Sequence, residues 1–254
     1  MWIFCGGMFR SGSTVQYQIT SHLVEQAGLG RRVTWHSPDA FVEVRDRQRS
    51  DPGLLVFKAH GLTAAMRGEV EAHGARVVTV HRDIRDVVVS AMRKNDWSFR
   101  HVWRSGKLGW WTRRFDEWAA MPGALVSRYD RLVADLAGEA GRIGRLLGID
   151  VAPALAATIA AEYAIDRQRE RTAVVCDRRE RGELAVKYDP HSLLHHNHVA
   201  CGGVGMYRGV LAPAEVRAIE DECGAWMAHW GYSVDDPDLG IGQRLHRWSL
   251  GRAA

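Results

Sequence analysis

The chain has 254 residues, 46% apolar and 25% charged, with 34 Lys and Arg against 30 Asp and Glu for a net charge of +4. That composition excludes a disordered tail, a collagen and a coiled coil, and it permits one large core. The basic excess, with an isoelectric point near 9.0, favours anionic ligands but is too dilute to make a nucleic-acid arm by itself.

An apolar run at 2 to 6 (WIFCG) ends in a glycine-rich turn, and from Ser13 the sequence takes a helical period. Short apolar runs at 32 to 35, 54 to 58, 76 to 81 and 124 to 129 predict four further strands, most of them followed by helical patterns. Repeated β-then-α units imply an α/β fold, a central and mostly parallel sheet flanked by helices on both faces, in a single domain spanning 1–254. A long helical stretch from 86 to 118 carries Trp97, Trp103, Trp110, Trp111 and Trp118, which read as packing core or as the wall of an acceptor pocket. Two more helical patterns cover 130 to 147 and 152 to 166. The charge-dense segment 167 to 190 is weakly periodic and is expected to form a long excursion or lid. A last helix, from about 213 to 230, places Trp226 and Trp230 at i, i+4 toward the core.

Cys5, Cys176, Cys201 and Cys223 are widely spaced and form no CxxC pair, so neither a zinc site nor a disulfide framework is indicated. Without a signal-peptide pattern or a long apolar run, the expected setting is cytoplasmic, with no membrane span. His195, His196 and His198 cluster, but no acidic or thiol partner stands at a ligand spacing, and no metal is expected.

The loop at 7–14 reads GMFRSGST. GxxxxG followed by a hydroxyl pair, between a strand and a helix, is the frame of a phosphate-binding loop, where backbone N–H groups and a helix N-terminus receive an anion. Where the Walker pattern requires Lys this chain has Ser13, and its cation stands two residues before the second glycine, as Arg10. A glycine turn with a serine cap is the plain alternative. Arg82 closes the fourth strand at the edge where open α/β sheets bind ligands, and a helix starting near Asp83 puts Asp86 and Ser90 on one face. A capping ion pair of Arg82 with Asp86 is the plain alternative there.

In these motifs the chain resembles the sulfotransferases that use 3′-phosphoadenosine 5′-phosphosulfate (PAPS). Phe9, Arg10, Ser11, Gly12, Ser13 and Thr14 correspond to the family loop P-K/R-S-G-T/S-T, which holds the 5′-phosphosulfate. Arg82, Asp83, Asp86 and Ser90 match R-[ND]-P-x-D-x-x-x-S, which holds the 3′-phosphate, with Ile84 in place of the proline. Lys58-Ala59-His60 stands where the family has K-x-H, and Tyr129-Asp130 where it has Y-E/D. The C-terminal element R-K-G-x-x-G-x-W-K/R survives only as Gly202, Gly205, Tyr207 and Arg208; the leading Arg-Lys pair is gone, and His198 or Arg208 is the candidate for the missing donor.

The resemblance implies sulfuryl transfer from PAPS to a hydroxyl of a small-molecule, lipid or sugar acceptor, without a metal. Ser13 and Thr14 would grip the 5′-phosphate, Arg10 and Lys58 would stabilise the leaving phosphate, and Tyr129 would stack on adenine, with a buried core tyrosine as the plain alternative. His60 would take the acceptor's proton, with Asp39 and Glu43 as the alternative bases. Two other classes fit in part. A kinase-like P-loop phosphotransferase shares the loop frame but lacks the Walker Lys and a clear Asp for Mg²⁺. A non-catalytic anion- or nucleic-acid-binding protein would rest on the Arg-rich segments 167 to 182 and 243 to 252, which read more simply as solvated faces.

Overall fold

The computed structural model describes residues 1–184, 186–197, 199 and 202–234. The chain divides into two compact units, Met1–Arg82 with Arg114–Gly202, and Asp83–Arg113 with the chain from Gly203 onward. The strands are β1 (Trp2–Cys5), β2 (Gly30–Arg32), β3 (Leu54–Lys58), β4 (Ala75–His81) and β5 (Leu125–Arg128). The helices are α1 (Ser13–Gln26), α2 (Phe41–Arg47), α3 (Ala64–Glu71), α4 (Ile84–Asn95), α5 (Phe99–Arg104), α6 (Lys107–Ala119), α7 (Tyr129–Ala134), α8 (Leu136–Leu147), α9 (Pro153–Tyr163), α10 (Ile165–Glu180) and α11 (Pro213–His229).

The first unit holds a parallel sheet in the order β2-β3-β1-β4-β5. Alternate residues of a strand point to opposite faces. Ile3 and Cys5 accordingly join a core with Val56, Val78 and Val80, closed by Tyr17 and Leu23 of α1 and Ile143 of α8. Trp2 and Phe4 join a second core with Leu55, Phe57 and Val77, closed by Phe41 of α2, Met66 of α3 and Trp118 of α6. The helix after β1 therefore lies on one face and the helix after β3 on the other. Because β1 and β3 are neighbours, the chain parts at their carboxyl ends, the crevice where open α/β sheets receive ligands. Their register sets Cys5 opposite Lys58, and the Ala59 N–H donates to the Cys5 carbonyl (3.2 Å). The glycine loop is thereby laid beside Lys58 and His60.

In the second unit α11 packs along α4, and the buried Arg85 ties the two together. Its guanidinium bonds Asp83 (2.7 Å) and Glu220 of α11 (2.5 Å), donates to the Ser233 carbonyl (2.9 Å), and lies 4.1 Å from the centroid of the Tyr207 ring. Removing one partner of such a buried pair leaves a charge stranded, at a cost of about 3–5 kcal/mol. Asp83 also caps α4 by accepting from the Arg85 N–H.

Four strands lie within one residue of their predicted ends; the second lies at 30–32 rather than 32–35. Gly30 sets that register, since a Cβ on it would come within 2.0 Å of the Leu54 carbonyl oxygen. The stretch 86 to 118 is three helices, not one, broken where Asp96 (φ 54°) and Gly106 (φ 62°) turn left-handed. Asp135 (φ −142°) likewise splits 130 to 147 into α7 and α8 and caps the second by accepting from the Gly138 N–H (2.7 Å).

The charge-dense segment is helical in its first half, a correction to the excursion expected there. Along α10, Arg167 pairs with Glu170 (2.8 Å) and Arg169 with Asp166 (2.6 Å), the one-turn spacing that supports a polar helix. The segment 243 to 252 lies outside the described residues. Of the five tryptophans between 97 and 118, Trp111 and Trp118 are core, whereas Trp103 and Trp110 are exposed. Trp226 is buried, but Trp230, at the C-cap of α11, is only half-buried. No helix among the described residues is long and apolar enough to cross a membrane.

Two glycine substitutions should move stability in opposite directions. Gly30→Ala forces a methyl into the Leu54 backbone and should lower the unfolding free energy by about 2 kcal/mol or more. Gly68→Ala, on the exposed side of α3 with nothing within 4 Å, should raise it by about 0.5–1 kcal/mol. Urea midpoints of the two variants against the parent are the check.

Candidate active site

Three left-handed residues, Gly7 (φ 132°), Arg10 (φ 62°) and Gly12 (φ 91°), shape the loop between β1 and α1. Gly12 is required twice over, because a Cβ there would also lie 2.7 Å from the Tyr129 ring. The loop is pinned by Ser11, whose buried Oγ bonds the carbonyls of Met8 (2.6 Å) and Val80 (2.9 Å), while the Met8 N–H reaches the same Val80 carbonyl (2.9 Å). Ser11 is thus a strut of the loop, its side chain turned to the scaffold. Gly12 caps α1 with no side chain, leaving the first-turn N–H groups facing the loop.

Lys58, 7% exposed, reaches from the end of β3 and donates to Ser13 Oγ and Thr14 Oγ1, each at 3.0 Å. A hydroxyl that accepts from an ammonium keeps its own hydrogen for another acceptor, so Lys58 orients both hydroxyls as donors. At the end of β4 the buried Arg82 lies over the Tyr129 ring, 4.3 Å from its centroid. The Tyr129 hydroxyl donates to the Gly202 carbonyl (2.8 Å). Tyr129 is 6% exposed and packs against Gly12 on its edge, so it serves as a seat for Arg82. Burial and the like charge of Arg82 push the Arg10 guanidinium down to about 10, which leaves it a cation at neutral pH. His81 sits beside Phe115 (4.9 Å), and burial, with help from Arg128, pushes it down to about 3, so it adds no positive charge.

His60 follows β3 and is half-buried. Its Nδ1 lies 3.3 Å from the Gly7 carbonyl and its ring meets Phe9 edge-on at 5.7 Å. A carbonyl only accepts, so this contact favours the form with hydrogen on Nδ1. Phe9 is therefore a neighbour of the His60 ring. Both alternative bases face solvent: Asp39 is exposed in the turn Pro38–Ala40, and Glu43 pairs with Arg47 (3.3 Å).

In the second unit Ser90 is half-buried on α4. Asp86, one turn before it, is buried and accepts the backbone N–H groups of Gly205 (2.8 Å) and Tyr207 (3.1 Å). Its carboxylate fixes the glycine turn of the C-terminal element, a role the motif spacing did not reveal. Arg208 is exposed and lies over the aromatic of that turn, 4.7 Å from the Tyr207 centroid. His198 lies outside the described residues. His195 packs on Tyr188 (5.5 Å), His196 meets the Arg179 guanidinium, and no metal-holding group of three side chains assembles among the described residues. Arg85 was missed altogether; its only sequence signal is an Asp cap two residues before it.

The family model for the sulfotransferase domain matches residues 3–231. Among solved structures the fold is similar to retinol dehydratase in complex with androsterone and inactive cofactor PAP, at 17% identity and a TM-score of 0.65, over 94% of this chain and 83% of that one. Retinol dehydratase with retinol and PAP gives 19% identity and the same TM-score and coverage. Mouse sulfotransferase SULT7A1 complexed with PAP gives 17% identity and a TM-score of 0.64 over 98% and 88% of the two chains. At these identities the likeness is one of fold. No curated protein matches the chain in sequence.

The crowding of Arg10 and Arg82 has a measurable signature. Because the fold disfavours the charged form of Arg10, the uncharged variant Arg10→Gln should melt about 2–4 °C above the parent when no anion is bound. With saturating pyrophosphate the order should reverse, because the parent gains more from binding. Thermal melts with and without pyrophosphate decide it, and an unliganded variant that melts lower would refute the cost that burial and Arg82 place on the Arg10 charge.

Proposed function

The chain belongs to the sulfotransferase family, and from that premise we propose that it moves a sulfuryl group from PAPS to a hydroxyl of a small-molecule, lipid or sugar acceptor. The observation that carries this reading is the convergence of Lys58, Ser13, Thr14 and the α1 N-terminus on one loop, with Arg10 and Arg82 close by. Every one of these groups donates hydrogen bonds or carries positive charge, the chemistry that holds a phosphorylated donor. The PAP complexes of the similar structures support the same donor. In a kinase-like site the lysine directly follows the second glycine; here it arrives from β3.

In the proposed reaction the acceptor oxygen attacks sulfur in line, the bond from sulfur to the 5′-phosphate oxygen breaks, and its electron pair stays on that oxygen. The products are the sulfated acceptor and adenosine 3′,5′-bisphosphate. Arg10 and Lys58 meet the charge that grows on the leaving oxygen, while Ser13 and Thr14 hold the 5′-phosphate. Nε2 of His60 receives the acceptor's proton. By their match to the family motifs, Arg82 and Ser90 are the residues assigned to the 3′-phosphate, with Gly202 and either Arg208 or His198 as the candidates from the C-terminal element. The family match runs through both units, which supports reading 1–254 as one sulfotransferase-like domain. The free thiols of Cys5, Cys176 and Cys223 support a reducing, cytoplasmic setting.

Adenosine 3′,5′-bisphosphate should stabilise the protein far more than ADP or AMP, and equal thermal shifts for the three would refute the assignment. Arg82→Ala should weaken the bisphosphate by about 1.5–3 kcal/mol in calorimetry and barely touch AMP. His60→Ala should cut turnover of a weakly acidic alcohol by about 10²- to 10⁴-fold with bisphosphate affinity intact, and the loss should shrink for nitrophenols, which ionise unaided.

A further inference from the structure

We propose that Trp118 is the positioning residue of His60, holding it in the tautomer whose Nε2 can accept a proton. Trp118 lies on α6 and is fully buried. Its indole N–H donates to the backbone carbonyl of His60 (3.2 Å). The same ring fills the space beside Gly6, where a Cβ would fall 2.6 to 2.9 Å from three indole carbons. Gly6 is not among the left-handed residues of the chain, so what glycine provides there is room for the indole. One side chain thereby touches both walls of the crevice, the end of β1 through Gly6 and the segment after β3 through residue 60.

That double contact bears on the imidazole. Its Nδ1 bonds the carbonyl of Gly7, the residue next to Gly6, at 3.3 Å, just beyond the usual range of a strong N–H···O bond. A bond of that length holds the ring only while both backbones keep their spacing, and Trp118 sets that spacing at each end. A solvated histidine favours hydrogen on Nε2, the form in which Nε2 cannot accept. The fold must invert that preference, and the indole is the strut that lets the Gly7 carbonyl do so. The packing of Trp118 on Phe4, 5.9 Å between centroids, anchors the strut in the second core. For its catalytic consequence the inference rests on His60 being the base; the tautomer itself is independent of any activity.

The test replaces Trp118 in the full chain with β-(3-benzothienyl)alanine, which keeps the fused ring and exchanges only the N–H for sulfur. Trp118→Phe is the simpler companion. Long-range ¹⁵N–¹H spectra of the histidine rings, with the His60 signal assigned by its loss in His60→Gln, should show Nδ1–H in the parent and a majority of Nε2–H in the benzothienyl protein. In parallel, sulfuryl transfer from PAPS to a weakly acidic alcohol should fall by about ten-fold in kcat, with bisphosphate affinity unchanged and little loss on 4-nitrophenol. A parent His60 with hydrogen on Nε2, or an unchanged tautomer in the benzothienyl protein, overturns the proposal. A correct tautomer shift in a protein that fails to bind the bisphosphate would instead overturn the proposed function and leave the positioning role standing.

Discussion

Positive charge withdrawn from water at the carboxyl ends of β1, β3 and β4 is the constraint around which the first unit is built. An isolated buried cation is costly, and it is tolerated only where oriented polar groups replace water. Lys58 meets two hydroxyls of α1, and Arg82 meets the face of Tyr129, whose own hydroxyl is tied to Gly202. Both groups are held in place before any anion arrives, so the arrangement is preorganised for one.

Preorganisation of that kind requires a loop that does not relax. Arg10 adopts a left-handed backbone that costs a non-glycine residue about 1–2 kcal/mol, and strain of this size persists only where the surroundings over-determine it. Ser11 does so by bonding the carbonyls of Met8, within the loop, and of Val80, which welds the loop to β4. The buried Gln16 of α1 adds a second weld, its amide donating to Ser127 and Glu139 at 3.0 Å each. Loop, helix and strands thus form one polar framework beneath the cations.

The sheet was legible because short continuous apolar runs bounded by glycine have few other meanings, and the loop because its glycines and hydroxyls stand at fixed offsets. What escaped the sequence were matters of partner choice. Ser11 and Ser13 are the same residue type two positions apart, yet one bonds the scaffold and the other Lys58, a difference set by the path of β4 and β3. Tyr129 gave no sign that a guanidinium would cover its ring. The helix breaks at Asp96 and Asp135 were hidden because an aspartate inside an apolar period reads as a solvent-facing residue until its backbone angles are known. The charges of α10 looked like a solvated excursion, because ion pairs one turn apart replace the apolar stripe by which amphipathic helices are recognised.

Asp86 carries a consequence for how such a site drifts over evolutionary time. It holds the C-terminal turn by main-chain N–H groups, and every residue except proline possesses one. Gly205 is confined to glycine by its φ of 72°, but the anchor at residue 207 is blind to the side chain there. The aromatic at that position answers to Arg85, against which it stacks, and a tyrosine meets that demand as a tryptophan does. A lineage can therefore rewrite the side chains of the turn while its backbone stays in place, so the carboxylate at 86 is a more durable marker of the turn than the letters within it.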